Sequence, residues 1–145
     1  DLKLVLEDGR ILTIEEKIRR NFYPDILLEI QHVNGVNRLG WLYLSQAEIL
    51  SYIQPYKNGF NLTLWKLKDL AEWSKSDQFL RLLASSSVKE VWSETKYNGL
   101  QWRTKNYRVS FRILRNLPFN YSSNKGNENL PLDFYDESNF MEVDK

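Results

Sequence analysis

The sequence predicts an α/β domain, a sandwich built on a mixed central sheet with three leading strands, a crossover helix and a fourth strand. Three observations predict it. Apolar and polar residues alternate over 2–7 (LKLVLE) and 10–17 (RILTIEEK), on either side of the turn pair Asp8-Gly9. A third β-rich run, ILLEIQ at 26–31, follows Pro24-Asp25. A helix signal and a fourth alternating run come next, the order that returns a chain to the sheet it left.

Taken in order, Leu2, Leu4 and Leu6 mark a half-buried first strand, and 10–17 is its hairpin partner. Residues 32–40 hold Asn34-Gly35 and Gly40 and read as a loop. Ser45 followed by Glu48 is a capping box, which predicts a helix from 45 to 53, ended by Pro55 and Asn58-Gly59. FNLTLWKL (60–67) alternates again and is the fourth strand. A helix over 68–84 comes after it, with Leu70, Trp73, Phe79, Leu80 and Leu83 as an uneven apolar face, and Ser85-Ser86-Ser87 breaks it. Strands at 88–94 and 100–114 flank the turn Asn98-Gly99. Trp41, Trp65 and Trp73 are assigned to packing, Tyr52 to packing or else to the lining of the site, and His32 to a loop or the core rather than to a ligand set. Residues 1–119 form the domain; 120–129 (NYSSNKGNEN) are turn-rich and begin a linker and acidic tail that runs to 145.

A chain of 145 residues suits one domain with a real core. No apolar run approaches the ~18 residues of a membrane span. The absence of cysteine excludes disulfide scaffolds, zinc ribbons, iron–sulfur clusters and thiol catalysis. A single histidine excludes metal sites built on several imidazoles. A catalytic metal would therefore be held by carboxylates and be a hard one, Mg²⁺ or Mn²⁺. The chain opens without Met and without a secretory pattern, and so reads as an excised fragment or processed product of an intracellular, cytoplasmic protein.

The net charge of +1 conceals an asymmetry. Residues 128–145 carry six acids against Lys145 alone, whereas no acid occurs between Glu94 and Glu128. That acid-free stretch holds Lys96, Arg103, Lys105, Arg108, Arg112, Arg115 and Lys125, interleaved with Tyr97, Trp102, Tyr107 and Phe111. Cations that neutralise phosphate beside rings that stack on bases make a nucleic-acid face; the plainer alternative is a solvated hairpin with core rings.

The second strand ends in Glu15-Glu16-Lys17. Alternation puts Glu15 and Lys17 on one face, where a carboxylate that holds a divalent metal and an ammonium that stabilises developing charge can act on one phosphate. Asp1, at the head of the neighbouring strand, is the further carboxylate such a site needs. A two-residue Asp8-Gly9 loop would set Asp1 against Glu16. A three-residue loop with Gly9 left-handed would set it against Glu15. A charged strand end that guards a sheet edge is the alternative use of these residues.

Asp1 followed by Glu15-x-Lys17 at a strand end resembles the D…(D/E)xK core of the PD-(D/E)XK nuclease superfamily, and the strand order is similar too. More locally, EEKIRR (15–20), DILLEI (25–30), Gly40-Trp41, Tyr52 and TKNYRV (104–109) are similar to an uncharacterised group of phage and mobile-element proteins of that type. The resemblance covers about 1–67 and, loosely, 100–112. It implies a restriction-endonuclease-like fold and an Mg²⁺- or Mn²⁺-dependent deoxyribonuclease that hydrolyses phosphodiester bonds. Asp1 and Glu15 would be metal ligands and Lys17 the catalytic lysine. Glu29 would be an accessory ligand, or else an ion partner of Arg19 or Arg20. Arg19 and Arg20 would grip the scissile backbone or lie on the surface, and Arg103, Lys105, Arg108 and Arg112 would track DNA. A catalytically decayed module that binds nucleic acid or protein is the alternative. The tail at 128–145, with alternate apolar residues Leu130, Leu132 and Phe134, could dock a protein partner, cover the protein's own basic face or simply solubilise the chain.

Overall fold

The computed structural model describes residues 2–34 and 36–119, with Tyr97 described by its backbone. Asp1 and the whole linker and acidic tail at 120–145 lie outside the described residues. The fold is α/β, and the described residues form a few short helices and eight strands in two four-stranded sheets.

The first sheet is mixed. Strand β1 (Leu2–Val5) is antiparallel to β2 (Ile11–Ile18), β2 is parallel to β5 (Ile49–Tyr56), and β5 is antiparallel to β6 (Gly59–Lys66), in the order β1-β2-β5-β6. The hairpin uses the three-residue loop: Leu2 pairs with Ile14 and Leu4 with Leu12, and Gly9 stands at φ +81. A residue with a Cβ would be strained there.

The second sheet is antiparallel. It has the order β4-β3-β8-β7, from β3 (Asp25–Asn34), β4 (Val36–Leu39), β7 (Lys89–Tyr97) and β8 (Leu100–Ser110). Asn98 and Gly99 both take positive φ, as a two-residue hairpin turn requires.

Several expectations are corrected. The third strand does not join the first two: β3 passes into the second sheet, and the segment read as a loop at 32–40 supplies the end of β3 and all of β4. The crossover helix at 45–53 does not form. Helix α1 is a single turn, Trp41–Leu44, and 49–56 is strand β5. The residues with capping chemistry are committed elsewhere, because Ser45 bonds Glu15 and the Glu48 carboxylate accepts the Thr13 amide. The β5 segment, ILSYIQPY, includes the β-branched Ile49 and Ile53 and is paired on both sides, and Pro55 is tolerated because β5 pairs with β2 only as far as Ile53. The helix expected over 68–84 is two helices, α2 (Leu67–Trp73) and α3 (Asp77–Ala84). The Ser76 hydroxyl caps the second of them by accepting the Phe79 amide. The strand predicted to reach 114 stops at Ser110, whose hydroxyl caps α4 (Phe111–Leu114).

The core joins β3 and β8 (Ile26, Leu28, Val109) to β5 and β6 (Leu50, Tyr52, Trp65) and to the helices (Leu67, Leu70, Trp73, Phe79, Phe111, Leu114). Trp65 stacks on Phe111, and Phe79 meets both Trp73 and Tyr107 edge-on. Each such side chain contributes on the order of 2–3 kcal/mol by leaving water. The opposite face of the first sheet is also apolar, and Leu2, Leu4, Ile18, Phe60 and Leu62 stand exposed on it. Among the described residues, no helix is long and apolar enough to cross a membrane.

Candidate active site

Strand alternation turns Glu15, Lys17 and Arg19 to the side of β2 that meets β3, and turns Glu16, Ile18 and Arg20 away. Facing them on β3 are Asp25 and Glu29. The β3–β8 register slips between Glu29 and Gln31. This bulge brings Glu29 and His32, which strict alternation would put on opposite faces, to within 3.7 Å of each other.

Glu15 is the most constrained of the group. Lys17 Nζ lies 2.6 Å from its Oε1, and Ser45 Oγ donates to its Oε2 at 2.9 Å. Burial works against charge on Glu15, yet the hydrogen bonds from Lys17 and Ser45 outweigh it and hold its pKa below the ordinary 4.5. Lys17 also sits 5.0 Å from the centroid of the Trp41 ring. Glu29 responds in the opposite sense. Burial raises its pKa, and His32, Lys17 and the Trp41 amide offset that only in part. Glu29 is thus a carboxylate whose charge the protein leaves under-compensated.

Gly40 makes this packing possible. A Cβ there would stand 2.3 Å from the Glu29 carbonyl oxygen and 2.5 Å from its carbon, so α1 can begin against the β3 bulge only with glycine at this position. The Gly40 amide bonds the Ile30 carbonyl and fixes the approach. On the other side, Glu48 ties the start of β5 to Thr13 through both its amide and its carboxylate. Between these ties opens a cleft of about 460 Å³, lined by Glu15, Glu29, His32, Arg38, Trp41 and Ser45, with Leu39, Leu44 and Gln46.

The predicted site residues divide into those the fold gathers and those it separates. Glu15, Lys17 and Glu29 come together. The pairing register is the one expected to oppose Asp1 to Glu15, although Asp1 itself is outside the described residues. The ion partner of Arg19 is Asp25, not Glu29: Asp25, 8% exposed at its side chain, takes Arg19 at 3.4 Å and Arg108 at 2.7 Å and so links the two sheets. Arg20 is exposed on the far side of β2. Along β8, Arg103 and Lys105 share the face of Tyr107, paired with Glu94 and Glu90 respectively, while Arg108 lies on the other face. The basic stretch is therefore divided between two surfaces. Arg112 is exposed on α4.

Tyr52 is in the core on β5, edge-on to Phe111. Ser45, His32, Arg38 and Trp41 belong to the cleft, which sequence reasoning misses. For Ser45 the sequence signal is real but points to a helix cap.

Oxygen donors from Glu15 and Glu29 suit a hard divalent cation, and a cation would relieve the under-compensated charge on Glu29. Among the described residues, no group of three or more Asp, Glu or His is gathered tightly enough to be a complete metal site. No family model, curated protein or solved structure matches the chain.

Proposed function

We propose that this chain is a DNA phosphodiester hydrolase of the PD-(D/E)XK type, with a restriction-endonuclease-like core, dependent on Mg²⁺ or Mn²⁺. The observation that carries the reading is the juxtaposition of Glu15, Lys17 and Glu29 in one half-buried cleft, two of them from a single strand end and the third brought in by a bulge. Asp1 and Glu15 would hold the metal, with Glu29 as accessory ligand. The metal would supply a Lewis acid and an acidified water.

The chain's own groups divide the remaining work. Lys17, half-buried between Glu15 and the Trp41 ring, holds a positive charge where a phosphoryl oxygen becomes more negative. Ser45 fixes the rotamer of Glu15 and keeps it ionised. Trp41 and Leu44 line the cleft with apolar surface, which would strengthen these charge interactions.

One observation favours the second reading, a decayed module that binds DNA without cutting it. Both carboxylate oxygens of Glu15 already have protein partners. Mn²⁺ titration monitored by its paramagnetic signal separates the two. The hydrolase requires Mn²⁺ binding that is lost in Glu15→Ala and weakened in Glu29→Gln. Absence of Mn²⁺ binding by the parent chain would reject the hydrolase and leave the binding module.

A further inference from the structure

The cations near the cleft are mostly committed. Lys17 is paired with Glu15, Arg19 and Arg108 with Asp25, Arg103 with Glu94 and Lys105 with Glu90. Arg38 differs: it lines the cleft, is exposed, and has no acidic partner among the described residues. It pairs across β3–β4 with His32, so the two side chains share a face. His32 also pairs with Thr104 on β8, and alternation carries that face on to Trp102. The rings of His32 and Trp102 are stacked, with centroids 6.4 Å apart and planes 28° from parallel. A ring platform and an unneutralised guanidinium thus continue the cleft outward from Glu29.

We propose that His32, Trp102 and Arg38 form a subsite for an unpaired nucleotide of the DNA strand that enters the cleft. The rings would stack on the base and Arg38 would hold its phosphate. Both rings are half-buried in the sheet face, and a base still paired within a duplex presents only its edge to them. A base must leave the helical stack to lie flat on Trp102. The favoured substrate is therefore a single strand, overhang or flap rather than a blunt duplex. The subsite rests on the reading of the cleft as a DNA site, but not on catalysis there.

The test is fluorescence anisotropy without divalent metal, so that binding is read apart from cutting. The probes are a labelled thymidine oligonucleotide about 12 nucleotides long, the same backbone with abasic sugars, and a blunt duplex of equal length. The parent should bind the thymidine strand most tightly. Trp102→Leu, which keeps an apolar side chain but removes the π face, should weaken that binding on the order of 10-fold and leave the abasic strand unaffected. Trp102→Phe should restore most of the loss. Arg38→Ala should weaken both strands alike and flatten the salt dependence.

Equal affinity for strand and duplex, a Trp102→Leu variant that binds thymidine strands as the parent does, or equal losses on thymidine and abasic strands would overturn the subsite. Strand binding with this pattern but no metal-dependent cutting would reject the hydrolase and keep the subsite. Cutting indifferent to Trp102 and Arg38 would do the reverse.

Discussion

Glu15 and Glu29 sit in the same cleft, yet their pKa values are displaced in opposite directions, and the partners of each explain why. Glu15 has Lys17 and Ser45 on its oxygens. Its contribution to stability is present above 4.5 and is lost as pH falls through its lowered folded-state value. Glu29 loses more to desolvation than its partners restore. Its cost appears as pH rises past 4.5 and is complete above its raised folded-state value. Glu29→Gln should accordingly make the chain more stable than the parent in urea at pH 7 and change little below pH 4.5. A parent more stable at pH 7 would show that Glu29 is fully compensated. Thr63 supplies a second prediction at this scale. Its hydroxyl is buried with no hydrogen-bond partner among the described residues, so Thr63→Val should leave stability unchanged or raise it by about 1 kcal/mol in urea melts. Period-two alternation makes the Glu15–Lys17 pairing legible from sequence. Glu29 is legible only as an acid on a nearby strand, because the bulge that aims it is a tertiary feature.

The elements that build the cleft are short and depend on their ends. Helix α1 is one turn, begun by Gly40 against the Glu29 backbone and ended by Ser45 on Glu15. Gly40→Ala should destabilise the chain by about 1–3 kcal/mol, because a backbone atom rather than a flexible side chain stands in the way of the new methyl. It should also displace Glu29, so any activity should fall further than that of a variant equally destabilised elsewhere. Helix α3 offers a control: Ser76→Ala removes its cap at a cost of about 1 kcal/mol and should leave the cleft untouched. The turns are legible in the sequence, since Gly9 and Asn98-Gly99 each need positive φ and each has it. The segment 45–53 is not, because cap-forming residues there precede a mostly apolar run, ILSYI, that shows no period-two alternation. A cap can be diverted to other partners, whereas a segment whose backbone is hydrogen-bonded to strands on both sides is committed to the sheet, and the strand prevails.

Across the whole molecule, Asp25 is the electrostatic joint between the two sheets. Asp25→Ala would leave Arg19 half-buried without its partner and should cost on the order of 3 kcal/mol in equilibrium unfolding. A much smaller loss would mean that Arg19 reaches water. The α/β class and a mixed sheet are legible in the sequence, but the division into two sheets is not. Alternation reveals that a strand has two faces and says nothing of which sheet it enters or which face is covered. Leu2 and Leu4, read as the buried side of a strand, lie half-exposed on the outer face, while the polar row Glu15, Lys17 and Arg19 turns inward. An inward polar row on a central strand is costly to stability, and function is the simplest reason to keep one. The most direct test is cleavage of labelled linear, circular and branched DNA with Mn²⁺ by the parent, Glu15→Gln and Lys17→Ala. We expect metal-dependent cutting by the parent that falls at least about 100-fold in both variants while their unfolding curves stay cooperative. A parent that binds DNA but cuts none of these substrates, or cutting that survives both substitutions, would contradict the assignment of Glu15 and Lys17 as the catalytic pair.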